Sequence, residues 1–215
     1  MKSYRVRVGY LLLLGLFLLF PLISAAQNTN QKQSPDSKVK AFLDNADFGR
    51  GNMNVPGQDG QFLYDLIIKN KYTRALEIGT STGHSAIWIA WALSKTGGKL
   101  ITLEIDETRH KQALKNFKEA GVADYIDARL VDAHQFVKEM NGQFDFVFSD
   151  ADKDWYKQYF IDVAPKMIKG GCYVTHNISN RGYNSEYLDY LKTRTDFETS
   201  YERSKTSGIS VSYKK

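Results

Sequence analysis

The sequence predicts an α/β fold, a mainly parallel sheet covered by helices on both faces and ending in an antiparallel hairpin. Three observations carry this reading. Five short apolar runs, ALEIG, KLITLEI, YIDARLV, FDFVFSD and CYVTHN, lie between residues 75 and 177 with helical patterns between them. Parallel neighbours need crossovers of that kind, and crossover helices cover both faces of a sheet. Beyond the last helical pattern, FETSYER and GISVSYK follow one another around a short turn, as an antiparallel pair does.

Taken in order, Val39, Phe42 and Leu43 predict a short helix, and GRGNMNVPGQDG breaks it with Gly, Asn and Pro. Phe62, Leu63, Leu66 and Ile67 mark a second helix with an apolar stripe. The strand ALEIG closes on Gly79, and a helix runs from about Ser85 to Leu93 before the strand KLITLEI. Asp106 can cap the next helix, whose inner face is read as Ala113, Leu114 and Phe117. Then come strand YIDARLV, helix HQFVKEM, strand FDFVFSD, helix WYKQYFIDVAPKMIK, strand CYVTHN and helix EYLDYLK.

Composition narrows the function classes. Of 215 residues, 42% are hydrophobic and 25% charged, which excludes a disordered or collagen-like chain, and one cysteine, Cys172, excludes an intrachain disulfide. The formal charge of +5 suggests nucleic-acid binding only until its location is considered. Lys2, Arg5 and Arg7 carry three of those five charges, so the chain beyond Ala26 is nearly neutral and has no basic stripe. Those three residues precede an uncharged run, Tyr10 to Ala26, that ends with small residues at Ser24 and Ala26. This is the layout of a cleaved secretory signal peptide, the alternative being an uncleaved anchor and the only membrane contact. Either sends the remainder across the membrane, into the periplasm or medium. Gln27 to Asp36 has no apolar residue and reads as a flexible tether, leaving one domain over residues 37–215. The assembly is left open, a homodimer included.

The chemistry begins at LEIGTSTGHS, residues 76–85, where a strand meets a helix through Gly79 and Gly83. Glycines there allow a tight turn and close approach of a ligand, and the helix start offers free N–H groups. Glu104 ends the second strand, where a carboxylate can accept hydrogen bonds from both ribose hydroxyls of an adenosine ligand. Ser81 and His84 stand where a GxGxxG dinucleotide motif would need glycine, which demotes nicotinamide chemistry. Asp150, Asp152 and Lys153 follow the strand FDFVF and should face the same crevice as Gly79.

Glu77, Gly79, Gly83, Ser85 and Glu104 in this arrangement resemble the cofactor site of class I S-adenosylmethionine-dependent methyltransferases. GNMNVPGQDGQFL and FVFSDADKDWY resemble the cation-dependent O-methyltransferases, the group of the catechol and caffeoyl-CoA enzymes. The resemblance runs from about Met53 to the C-terminus and implies a Rossmann-like, seven-stranded sheet with its last strand antiparallel. It implies that Glu77 and Gly79 lie beside the methionine part of S-adenosylmethionine, Ser85 bonds its carboxylate and Glu104 holds the ribose. It further implies Asp132 and Ala133 on the adenine side, Asn54 and Val55 closing over the cofactor, and Asp150 and Asp152 beside it. Lys153 is the implied base toward the hydroxyl of a small, catechol-like acceptor, with Asp150 binding a divalent cation such as magnesium or manganese.

The chain departs from the family at His176-Asn177, where Asp-Asn would complete the cation site. Imidazole binds metals, but magnesium prefers oxygen, so three outcomes stay open. They are a site for manganese, iron or zinc formed by Asp150, His176 and Asn177, a weakened magnesium site, or no metal with His176 as base. A second departure is Ser210, which stands where the catechol enzyme has a Glu gripping the second hydroxyl. The link from Asn177 to the last helix is short, as in the catechol enzyme. Trp155 and Tyr156 are candidates to line an aromatic pocket, whereas Trp88 and Trp91, at i and i+3, read as helix packing. The competing reading is a non-catalytic, exported small-molecule-binding protein on the same fold.

Overall fold

In the computed structural model, residues 35–46, 48, 53–179, 184–202 and 208–215 are described. The leader, most of the tether, four residues of the link after Asn177 and the turn of the final hairpin lie outside them. Seven helices are described: α1 (Pro35–Asn45), α2 (Gly57–Asn70), α3 (His84–Thr96), α4 (Glu107–Ala120), α5 (Ala133–Glu139), α6 (Tyr156–Val163) and α7 (Ser185–Thr193). The strands are β1 (Arg74–Ile78), β2 (Lys99–Glu104), β3 (Ile126–Leu130), β4 (Phe144–Ser149), β5 (Met167–His176), β6 (Phe197–Glu202) and β7 (Ile209–Lys214). They form one sheet in the order β3-β2-β1-β4-β5-β7-β6, parallel except for β7, which runs antiparallel to both β5 and β6. That is the predicted architecture.

The two-residue period of the strands sorts the core into two layers. Ala75, Phe146, Phe148 and Val174 face α2 and α3, where Leu63, Ile67 and Ile87 meet them. Leu76, Ile78, Val147 and Tyr173 face the other way, onto Phe160 and Val163 of α6 and Leu191 of α7. Trp88 and Trp91 pack with Tyr64 on the outside of the α2–α3 pair, as their spacing suggested. Gly60 is required beneath them, because a Cβ there would come within 2.2 Å of the Trp88 ring.

Four boundaries differ from the sequence reading. Helix α1 starts at Pro35, two residues inside the expected tether, where Asp36 accepts a hydrogen bond from Trp91 Nε1 (2.8 Å) and pairs with Lys95. Residues 57–60, read as part of a break, already belong to α2, since Pro56 can stand before a first helical turn that needs no donor from it. The long helix read over residues 155–169 stops at Val163, just before Pro165, and β5 begins at Met167. On α4 the inner face is Ala113, Asn116, Phe117 and Ala120, while Leu114 is exposed. The capping residue was read correctly: Asp106 Oδ1 accepts from the backbone N–H of Arg109 at 2.8 Å.

Candidate active site

The sheet order reverses between β1 and β4, and the register sets their ends side by side. Ile78 is opposite Ser149, and Ser149 is opposite Thr175, so Gly79, Asp150 and His176 emerge from adjacent strands at one edge. A crevice at such a switch point is where open α/β sheets take ligands. Here it is a cavity of about 680 Å³, within the range of small-molecule sites. Asn54, Gly79, Glu104, Asp132, Ala133, Asp150, Asp152, Lys153, His176 and Asn177 all line it. Four expected cofactor residues, Val55, Glu77, Gly83 and Ser85, do not.

Those four lie behind the wall and shape it. Gly83 caps α3 with φ +95°, and a Cβ there would come within 2.4 Å of the Phe117 ring. Gly79 has φ +100°, and a Cβ on it would meet the Asp150 carbonyl oxygen at 2.7 Å. Only glycine reconciles that backbone conformation with that approach. Val55 is buried and its carbonyl accepts from His84 Nδ1 at 2.6 Å, while His84 Nε2 accepts from Trp88 Nε1 at 3.2 Å. The two contacts fix one neutral tautomer, and burial holds the pKa of His84 below its usual value. Through this ring the segment before α2 is fastened to α3, and Asn54 adds a hydrogen bond to Thr82 Oγ1 at 2.8 Å.

Glu77 is fully buried beneath Gly79. Its Oε2 accepts from Thr102 Oγ1 (2.5 Å), and its Oε1 has no hydrogen bond among the described residues, with the Ser85 hydroxyl close by. Burial pushes its pKa up to about 8, against the Ser85 and Thr102 hydroxyls, and Asp150 and Glu104 push the same way. A cation arriving at Gly79 would favour the ionised form. Glu104 is nearly buried and oriented by backbone donors, Ser81 N–H to Oε2 (2.6 Å) and the N–H groups of Ile105 and Asp106 to Oε1 (3.1 and 3.0 Å). Asp132 caps α5 through His134 N–H at 2.9 Å, and His134, which also lines the cavity, stacks on Trp155 with ring centroids 3.9 Å apart.

Asp150, His176 and Asn177 are brought together, but they spend their polar atoms on one another. His176 Nδ1 lies 2.9 Å from Asp150 Oδ2, and Nε2 lies 2.8 Å from Asp59 Oδ2. Asn177 Nδ2 and the Tyr156 hydroxyl donate to Asp150 Oδ1 at 2.9 and 3.3 Å. Burial alone would lower the pKa of His176, yet the carboxylates on both sides override it and raise it to about 9. Among the described residues, no group of three or more His, Cys, Asp or Glu is placed to hold a metal ion. Asp150, His176 and Asn177 nevertheless bring two oxygen-bearing side chains and a ring nitrogen together, with Asp59 behind the ring at Nε2, which is a donor set a transition-metal ion can accept.

Asp59 is the site residue that sequence reasoning missed. It sits on the same face of α2 as Leu63 and Leu66, at i+4 and i+7, so a carboxylate in the apolar stripe was the available signal. Tyr156 was read as a pocket aromatic, whereas it is buried under Asp150, and Trp155 is about one-third exposed against His134. Ser210 is buried within β7 opposite Thr175 and does not line the cavity.

Comparison with known proteins agrees with this geometry. The family model described as O-methyltransferase matches residues 38–195. The catechol O-methyltransferase of Niastella koreensis is 38% identical over 151 residues, covering 68% of each chain. Caffeoyl-CoA O-methyltransferase 1 of Eucalyptus globulus is 36% identical over 124 residues, covering 55% of this chain and half of that protein's length. The O-methyltransferase TomG of Streptomyces achromogenes, solved in complex with SAM, shares the fold with a TM-score of 0.71 at 23% identity, covering 84% of this chain and 89% of its own. The Bacillus cereus O-methyltransferase in complex with SAH does so with a TM-score of 0.69 at 24% identity, covering 87% and 94%. The chain belongs to the class I S-adenosylmethionine-dependent O-methyltransferase family that includes the catechol and caffeoyl-CoA enzymes.

Proposed function

We propose that the protein transfers a methyl group from S-adenosylmethionine to a hydroxyl of a small, catechol-like aromatic acceptor. The observation that carries this is one cavity holding Gly79, Glu104, Asp150 and Lys153 at the ends of β1, β2 and β4. The residues fit the cofactor. Gly79 allows the close approach of the Asp150 backbone that shapes the wall, Glu77 Oε1 is a buried acceptor behind it, and Glu104, Asp132, Asp150 and Asp152 make the wall acidic enough for a cationic ligand. Glu104 would hold the ribose, Gly79 with Glu77 behind it the methionine part, and Asp132 and Ala133 the adenine side.

When bound, S-adenosylmethionine supplies an electrophilic methyl on a positively charged sulfur. The chain has to present a nucleophilic oxygen in line with it, so positioning does most of the work. A phenol with a pKa near ~10 is largely un-ionised at neutral pH. Lys153, on the cavity wall one turn past β4, is the group that takes its proton as the oxygen attacks. Asp150 is held rigid by three donors and keeps the Gly79–Asp150 approach fixed. Asp150, His176 and Asn177 are the residues that would hold a divalent cation, which when bound would lower the pKa of the acceptor hydroxyl; no step is routed through it.

Methyl-labelled S-adenosylmethionine, offered with catechol and a set of phenolic acids, tests the proposal. Label is expected in an O-methyl product, matched by demethylated cofactor. A folded protein that binds the cofactor yet labels no phenolic acceptor would overturn the acceptor class.

A further inference from the structure

We infer that His134 is a positioning residue for Lys153: its ring, held at the start of α5, braces both ends of the short turn that carries the base. The consequence in turnover rests on the role proposed for Lys153, whereas the brace itself is measured without turnover.

The turn is held from within only by local bonds. Lys153–Trp155 is a single 3-10 turn between β4 and α6, with Asp152 before it. Asp152 Oδ1 accepts from Asp154 N–H and the Asp152 carbonyl accepts from Trp155 N–H, both at 3.1 Å, and Tyr156 N–H donates to the Lys153 carbonyl. Bonds of this range fix the shape of the turn but not its tilt over the cavity.

A neighbouring element fixes the tilt. The face of the His134 ring stacks on Trp155, with centroids 3.9 Å apart and 29° between the planes. Tyr159, buried one turn into α6, lies nearly parallel to the imidazole at 5.7 Å and 6.1 Å from Trp155, so the stack has a rigid base. The edge of the same ring faces the other end of the turn, where Nε2 lies 3.4 Å from Asp152 Oδ2. That approach is a close contact and not a hydrogen bond. Asp132 sets the ring from behind, since its Oδ1 accepts from His134 N–H at 2.9 Å and lies 3.2 Å from Nδ1. One imidazole therefore meets Trp155 by its face and Asp152 by its edge, with Lys153 between them in the chain.

His134 and Lys153 line the same cavity. A general base must come within hydrogen-bond reach of the acceptor hydroxyl, and a misplacement on the order of 1 Å can cost about 10²-fold in rate. The ring acts through the turn and does not itself take the proton. It also joins the turn of the base to Asp132 and Ala133, the residues proposed for the adenine side of the cofactor.

Hydrogen exchange and steady-state kinetics on the full-length protein test this together. In His134→Ala, checked for folding by circular dichroism, the Asp154 and Trp155 amides are expected to exchange at least about fivefold faster in the absence of cofactor. The kcat should fall by about 10- to 100-fold while the acceptor KM stays within about threefold. His134→Phe, which keeps a flat ring against Trp155, is expected to come within about fivefold of the wild-type kcat. Added to Lys153→Ala, the His134→Ala change should alter kcat by less than about twofold, because no base is left to place. Unchanged exchange at Asp154 and Trp155, a His134→Ala kcat within about twofold of wild type, or an equal loss with and without Lys153 would overturn the inference. Failure of Lys153 as the base would show instead in the Lys153→Ala protein alone, whatever the exchange result.

Discussion

Replacing Lys153 with alanine is expected to lower kcat by about 10²- to 10⁴-fold, the usual contribution of a positioned general base. That corresponds to roughly 3 to 5.5 kcal/mol in the barrier. The cofactor's affinity should stay within about threefold, because Gly79, Glu77 and Glu104, the residues proposed to hold it, do not depend on Lys153. Folding should be unaffected as well, since the side chain is half-buried on a short surface turn after β4. Single-turnover rates over a pH series separate this role from a packing one. A missing base makes the rate track ionisation of the acceptor, so the deficit narrows as pH rises. A kcat within tenfold of wild type at neutral pH would remove Lys153 from the chemistry.

The second large effect concerns stability. His176→Ala removes a buried ring within hydrogen-bond distance of a carboxylate on each side, and breaking a buried pair of this kind from one side costs roughly 3–5 kcal/mol. Against a typical domain stability of about 5–15 kcal/mol, that is a large share. Melting should fall by about 6–20 °C for a domain of this size. The Asp59→Ala/His176→Ala double variant should lose less than the sum of the single losses, because each single change already removes the Asp59–His176 contact. Urea denaturation of the four proteins gives the coupling. Additive losses would show that the Asp59–His176 contact, 2.8 Å in the structure, contributes nothing of its own.

What could be read from the chain, and what could not, follows from the range of the interactions. Strands β1 to β5 and the final hairpin were legible because alternation and turn residues are local signals. Glu104 and Asp106 were legible because a carboxylate at a strand end and a cap at a helix start are defined by their immediate neighbours. The beginning of β5 was not. Gly170 and Gly171 read as a break, yet they lie inside the strand, where its register against β4 slips between Phe144 and Phe146. Gly170 takes φ +78° there, which a strand tolerates at an irregularity and a sequence pattern cannot distinguish from a turn.

The clamp on His176 was the least legible feature. The residues after β4 and β5 could be assigned to one crevice, and the loss of an oxygen ligand at position 176 was plain. Asp59 fell in a segment read as a break, and only the structure puts it on the inner face of α2. Nothing in the chain alone joined the two, because their contact depends on how α2 lies over the ends of β4 and β5. A histidine that sequence reasoning left as ligand or base is, in the structure, a buried ring set between two carboxylates.

The central claim is that the cavity at the ends of β1, β2 and β4 binds S-adenosylmethionine, and calorimetric titration of the cofactor tests it most directly. Wild type is expected to bind one equivalent without added metal. Glu104→Ala should weaken binding by about 10- to 100-fold, the range for losing hydrogen bonds to a charged group. Glu104→Gln, which keeps an acceptor oxygen in place, should fall between the two. A folded wild-type protein that releases no heat with S-adenosylmethionine, or a Glu104→Ala variant that binds it as tightly as wild type, would contradict the assignment.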